Sequence, residues 1–138
     1  MKEPKKFKED VQEVIKICEK VLKKNLTSII LFGSVAKGTF NEKSDYDFLI
    51  VVKKYPKNDA EVGGAINYMS LDRISMPLDV VFIEKSGLDD ITSAFSLEVQ
   101  ANGKVIYGEN CLDRNIFKRF DIKPLIFGGR QIGWRLPS

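Results

Sequence analysis

A length of 138 residues, 43% hydrophobic and 30% charged, predicts one soluble globular domain able to bury about two thirds of its unfolded surface. The net charge of +3 is too mild to argue for nucleic-acid binding by itself, and no apolar run approaches membrane-spanning length. With no histidine in the chain, His-based nucleophilic catalysis, His general bases and His-containing metal sites are excluded.

In chain order, Phe7, Val11, Val14, Ile15, Cys18, Val21 and Leu22 recur at helical spacing. They predict an amphipathic helix over residues 5–24 with Asn25 as its C-cap. An apolar run, Ile29-Ile30-Leu31-Phe32, predicts a strand over 28–32. Gly33-Ser34 breaks it, residues 34–37 have room for a turn of helix before Gly38, and 39–44 read as a polar loop. Residues 46–52 are apolar on both faces beyond the acids, which predicts a central strand. Residues 53–59 read as an exposed connection. A helix over 59–73 is weakened by Gly63-Gly64 at about 1 kcal/mol for each glycine relative to alanine, so a mobile or irregular segment is the alternative there.

A third strand is predicted over 78–83. Asp89-Asp90 then suggest a helix start, Asn102-Gly103 its stop, and 104–107 a short edge strand. Leu112, Ile116, Phe117 and Phe120 suggest a last helix, and Gly128 to Ser138 reads as an irregular tail. Trp134, between Arg130 and Arg135, is expected to pack on the domain or a partner rather than to stack on a base.

The charge is unevenly spread: residues 1–24 and 109–138 each carry a net +3, which leaves the centre at −3. Solvated helix faces account for the basic ends as well as a grip on a polyanion does. Cys18 and Cys111 suggest neither a zinc spacing nor a disulfide framework, so a reducing cytoplasm is expected. The first ten residues are basic but lack the apolar core of a signal peptide.

The chemistry lies in the acidic centre. Asp45 and Asp47 are two residues apart at a strand start, so they project to the same side with Tyr46 on the other. Two anions so close repel each other unless a cation sits between them, and oxygen-only ligands favour Mg²⁺. Gly33 allows close approach of the backbone to a ligand. Ser34 is a good helix N-cap, and a helix start offers N–H groups to an anion. A phosphate cradle followed by a metal-binding pair suits chemistry on a nucleoside triphosphate.

Rival motifs fit worse. A P-loop needs Gly-Lys-Ser/Thr after its second glycine, whereas Gly38 is followed by Thr39. Neighbouring acids on one strand face are too close and too alike for a glycosidase pair. The glycine and terminal glutamate of a calcium loop are missing. Asp79, alone in an apolar strand, needs a neutralising partner unless it is exposed. Arg73, a lysine or the metal of the acid pair can each serve.

Gly33-Ser34, ten intervening residues and Asp45-Tyr46-Asp47 resemble the signature of the nucleotidyltransferase superfamily that includes DNA polymerase β. The fuller strings, G-S-V-A-K-G and S-D-Y-D, are similar to the minimal nucleotidyltransferases of prokaryotes. The resemblance covers residues 25–107 and implies an α/β (α+β) nucleotidyltransferase fold, a small mixed sheet flanked by helices in a single domain. Residues 1–108 would form the nucleotidyltransferase domain, with its catalytic core at 28–83. Residues 109–138 would be a C-terminal helix and tail of the same domain, or a partner-binding extension.

The resemblance also assigns Asp79 as the third acid. Asp45, Asp47 and Asp79 would be catalytic and hold two Mg²⁺ ions, while Gly33, Ser34 and Lys37 bind the nucleotide, with ATP as substrate. Lys37 stands where the family often has arginine, which keeps the charge but not a bidentate grip. The thirty or so residues after Tyr107 are expected to be too few for an acceptor-binding domain, so a partner or a second copy would complete the site. The resemblance implies a HEPN-type toxin partner, adenylylated on a tyrosine, with this chain as antitoxin. The alternatives are an aminoglycoside-type small-molecule nucleotidyltransferase working as a homodimer, and a non-catalytic antitoxin or binding protein. The paired carboxylates argue against the last.

Overall fold

A computed structural model describes residues 2–137. Helix α1, Phe7–Leu22, turns Val11, Val14, Ile17, Cys18 and Leu22 inward, the face that the apolar spacing marks. It ends earlier than predicted, at Lys23 with φ of 52°, followed by a 3-10 turn over Lys23–Asn25. Asn25 is therefore not the helix C-cap. Its side chain donates to the Lys54 carbonyl and accepts from the Lys54 N–H, both at 2.9 Å, which ties this turn to the connection beyond the central strand.

Four strands form the main sheet: β1 (Leu26–Phe32), β2 (Tyr46–Val52), β3 (Leu78–Glu84) and β4 (Lys104–Gly108). Their order is β3-β2-β1-β4. β1 runs antiparallel to β2 and β4, whereas β2 and β3 are parallel, so the sheet is mixed, as the fold class requires. β2 lies inside, and every residue of it except Asp47 is buried.

The two-residue alternation of strands divides the core. Ile29, Leu31, Tyr46, Phe48, Ile50 and Phe82 face α1 and α3 (Asp59–Ser70), where Val14, Ile17, Cys18 and Ile66 meet them. Ile30, Leu49 and Val51 face the other way, onto Leu88, Val99 and Cys111. Helix α3 stops at Ser70, short of the predicted 73.

Two expectations fail on this second side of the sheet and beyond it. Asp89-Asp90 do not start a helix: Lys85–Asp89 is a 3-10 turn, and α4 spans Ala94–Asn102. The Asp90 carboxylate instead accepts from the N–H and hydroxyl of Thr92, a local bond that competes with helix. Ser93 then caps α4 by accepting from the Ser96 N–H.

The tail is also not irregular. After the short α5 (Asn115–Arg119), β5 (Lys123–Phe127) and β6 (Arg130–Arg135) pair antiparallel as a hairpin. Gly128 and Gly129, at φ of 59° and 78°, supply the left-handed pair that a two-residue hairpin turn demands. Trp134 packs on Phe117, ring centroids 4.8 Å apart, and Ile116 and Ile122 join Leu97 of α4. Ser138, at the end of that expected tail, lies outside the described residues.

Candidate active site

The site is built at one end of the sheet, on the side that α4 covers. Asp47 shares a strand face with Leu49 and Val51, and Asp79 with Val81 and Ile83; these four apolar residues all belong to the cluster on the α4 side. Asp47 lies opposite Asp79 across the parallel β2–β3 pair, and opposite Phe32 across the antiparallel β1–β2 pair. Directly opposite residues in a sheet present side chains on the same face from strands about 4.8 Å apart. Asp45 lies just before β2, two residues from Asp47. Asp45 and Asp79 are exposed, and Asp47 is half-buried.

Gly33 follows Phe32 with φ of 74°, a left-handed turn that a side chain would strain. A Cβ there would stand 2.1 Å from Asp47 Oδ2, closer than any real contact allows. Glycine is therefore needed twice over, for the turn and for the carboxylate that lies against it. This contact brings the Gly33-Ser34 turn, separated in sequence from the acids by a whole loop, up against Asp47.

Helix α2 runs Gly33–Lys37, with extended Phe32 in the N-cap position and no side-chain cap. Ser34 is thus a residue inside the first turn, not the N-cap expected of it, because the glycine turn starts the helix one residue early. Lys37 lies three positions further on and makes an ion pair with Glu98 of α4 at 3.5 Å.

Electrostatics single out Asp47. Burial, and after it the charges of Asp79 and Asp45, push its carboxyl above the ordinary range. Among the described residues no ion pair engages Asp79, so the Arg73 or lysine alternative is not realised. A divalent cation would relieve the mutual repulsion of the three acids, and their donors are all oxygen, which suits Mg²⁺. Among the described residues no group of three or more acidic, cysteine or histidine side chains already forms a metal cage. Mg²⁺ commonly completes its shell with water and substrate phosphate, so a partial set of protein oxygens fits its chemistry.

Two contributors escaped sequence reasoning. Glu98 is visible only once α4 packs against α2. Asp10, 2% exposed, accepts from Tyr46, the residue between the two acids, at 2.6 Å. A signal for Asp10 was present: it lies three residues after Phe7 and four before Val14, on the apolar stripe.

A mixed sheet with a glycine turn against one of the acids fits the nucleotidyltransferase resemblance of the sequence. The Polymerase beta nucleotidyltransferase family matches residues 12–111, and the chain belongs to that family; it is a nucleotidyltransferase enzyme. Two candidate protein adenylyltransferases of Methanocaldococcus jannaschii are similar to it. One is 28% identical over 120 residues, which cover 84% of this chain and 80% of the relative. The other is 44% identical over 52 residues, covering 38% and 46%.

Solved structures share the fold. One is a toxin–antitoxin complex with AMP-PNP (TM-score 0.57, 22% identity, covering 73% of this chain and 75% of that one). Another is the spectinomycin adenyltransferase of Enterococcus faecialis with ATP and spectinomycin (TM-score 0.58, 20% identity, 83% and 66%). Among the described residues no helix is long and apolar enough to cross a membrane.

Proposed function

We propose that this chain is a Mg²⁺-dependent protein adenylyltransferase that moves AMP from ATP to a tyrosine hydroxyl of a helical HEPN-type toxin, and so acts as its antitoxin in the cytoplasm. The observation that carries the reading is that Asp47 lies opposite Asp79 across the β2–β3 pair and against Gly33, the residue just past the end of β1. The relatives described as protein adenylyltransferases favour a protein acceptor, and the complex with AMP-PNP favours an adenine nucleotide and a toxin partner.

In this mechanism Asp45, Asp47 and Asp79 would hold two Mg²⁺ ions, which would supply charge neutralisation of the triphosphate and acidify the attacking hydroxyl. The Gly33-Ser34 turn holds the leaving phosphates, and Lys37 turns from Glu98 towards their charge. Asp79, exposed on the edge strand, orients the acceptor hydroxyl and takes its proton. The hydroxyl oxygen bonds to the α-phosphorus as the bond to the bridging oxygen breaks, and pyrophosphate leaves. Residues 1–108 carry this chemistry. The segment after residue 108, docked on α4 through Ile116 and Ile122, extends the surface offered to a partner.

A second reading, favoured by the likeness to the spectinomycin adenyltransferase, is a small-molecule adenylyltransferase whose cleft is completed by a second copy. Incubation with Mg-ATP and a HEPN-type toxin, followed by intact mass, separates the two. A gain of AMP on the toxin that is lost with Tyr→Phe at the acceptor supports the first reading. Modification of spectinomycin with no gain on the protein overturns it.

A further inference from the structure

We propose that Asp10 is a positioning residue for the active-site carboxylates, acting from the opposite face of the sheet. The inference rests on the metal-binding reading above and adds a residue that reading does not contain. Asp10 is on α1 and is buried. Its Oδ2 accepts from the hydroxyls of Tyr46 and Ser75, and its Oδ1 accepts from the Ser75 N–H at 3.0 Å. One carboxyl therefore takes three donors from two segments that are 36 and 65 residues away in sequence.

Those two segments are the ones that carry the acids. Tyr46 is fully buried between Asp45 and Asp47 and points to the α1 side. Its hydroxyl donates to Asp10 at 2.6 Å. Ser75 opens the lead-in to β3, four residues before Asp79. The same lead-in accepts from the Tyr46 N–H through Pro77 O at 2.9 Å.

Two of the acids, unlike Asp47, have little else to hold them. Asp45 and Asp79 are exposed, Asp45 precedes its strand, and Asp79 is the second residue of an edge strand. Strand ends and edges are where a ladder restrains the chain least. Fixing Tyr46 fixes the backbone from which Asp45 and Asp47 project, and fixing Ser75 sets where β3 begins beside them. Glue alone would not need a carboxylate here. Replacing a buried hydrogen-bonded group and its partners with apolar groups of similar shape is often neutral or stabilising.

Mn²⁺ binding to the full chain without nucleotide, followed by electron paramagnetic resonance, tests this without relying on turnover. Asp10→Asn is expected to weaken Mn²⁺ roughly tenfold, the lower end of what residues that orient metal ligands contribute. Tyr46→Phe, which keeps the ring and removes one donor, should weaken it in the same direction by less. The triple variant Asp10→Leu, Tyr46→Phe, Ser75→Ala separates positioning from stability. Its melting temperature should recover towards wild type while Mn²⁺ affinity stays low. Wild-type Mn²⁺ affinity in folded Asp10→Asn and Tyr46→Phe overturns the proposal. Asp45→Asn serves as the control. If it binds Mn²⁺ like wild type, the metal site itself is wrong and the positioning role falls with it, a result distinct from failure at Asp10 alone.

Discussion

Two β structures in this chain obey opposite rules. In β2, Phe48 to Val52 are fully buried or nearly so, and its one half-buried polar residue is Asp47. In the hairpin of β5 and β6, all of β5 is exposed, and Phe127 is 75% and Ile132 63% exposed. Where a strand is packed on both faces, register is enforced, because a slip of one residue would bury Asp47 and expose Phe48. Asp47 can then be placed by a framework that cannot shift. The hairpin is held mainly by its own ladder and by Trp134 on Phe117, which leaves it free to vary. Fixed distances are easily held on the first, and exposed apolar surface lies on the second.

The sharpest way to test this division is to change charge on β2 and on the residue that leads into it without changing shape. Asp47→Asn and Asp45→Asn keep volume and remove a metal ligand. Each should cut AMP transfer by roughly 10³-fold or more, the loss of several kcal/mol of charge stabilisation at about 1.4 kcal/mol for each tenfold. Circular dichroism should stay like wild type, and single-turnover assays at saturating Mg-ATP should show the loss in the chemical step. Transfer at the wild-type rate would remove Asp45 and Asp47 from the mechanism.

Shape is the next lever. Phe48→Ala, one residue beyond Asp47, should cost about 3–5 kcal/mol of stability by chemical denaturation, as cavity-forming changes do. Gly33→Ala is smaller in volume but strikes the site. Its left-handed φ alone costs about 1–2 kcal/mol for an alanine, and its Cβ would have to displace the Asp47 carboxylate. Lower stability together with weakened transfer is expected. Lower stability with full activity would mean that the contact between Gly33 and Asp47 is not part of the site.

The contrast also explains what could be read in advance. The acid pair and the glycine-serine turn were legible as local patterns, and alternation puts Asp45 and Asp47 on one side. Asp79 came in only through the family resemblance, because the face it shares with Asp47 depends on a register between two strands. Glu98 beside Lys37 and the Asp10 bonds to Tyr46 and Ser75 were not legible, because they join residues far apart in the chain. The α4 start was misplaced because Asp90 satisfied itself on Thr92, and Ser93 was the better cap. The hairpin was missed for a different reason. Gly128-Gly129 reads equally as disorder and as a turn, and only the flanking apolar runs of Leu125 to Phe127 and Ile132 to Trp134 decide between them.

Asp47 makes a subtler prediction, since it is costly to the fold in the absence of a cation. Burial and the charges of Asp79 and Asp45 raise its carboxyl in the folded chain. Between the ordinary carboxylate range and that raised value the folded state holds more proton than the unfolded state, so stability falls as pH rises through this window. Above it the cost persists. In metal-free buffer Asp47→Asn should therefore melt a few degrees higher than wild type at neutral pH. The gap should close as the pH drops below the ordinary carboxylate range, and saturating Mg²⁺ should narrow it from the other side. A variant no more stable than wild type at neutral pH would show that the three acids do not strain one another.

The smallest effect is expected at the other end of the comparison. Phe127 has most of its ring in water and lies opposite Arg130 at the hairpin tip, next to a glycine turn that has open space around it. Phe127→Ser removes an apolar group that the fold barely buries, so the stability change should stay within about 0.5 kcal/mol. Mn²⁺ affinity should not move at all, because among the described residues no hydrogen bond or ion pair links the hairpin tip to β2 or β3. If the hairpin is surface for a partner, the same variant should weaken transfer to a protein acceptor through KM, with kcat intact. A loss of stability comparable to that of Phe48→Ala would instead make the hairpin part of the core and erase the division between the two β structures.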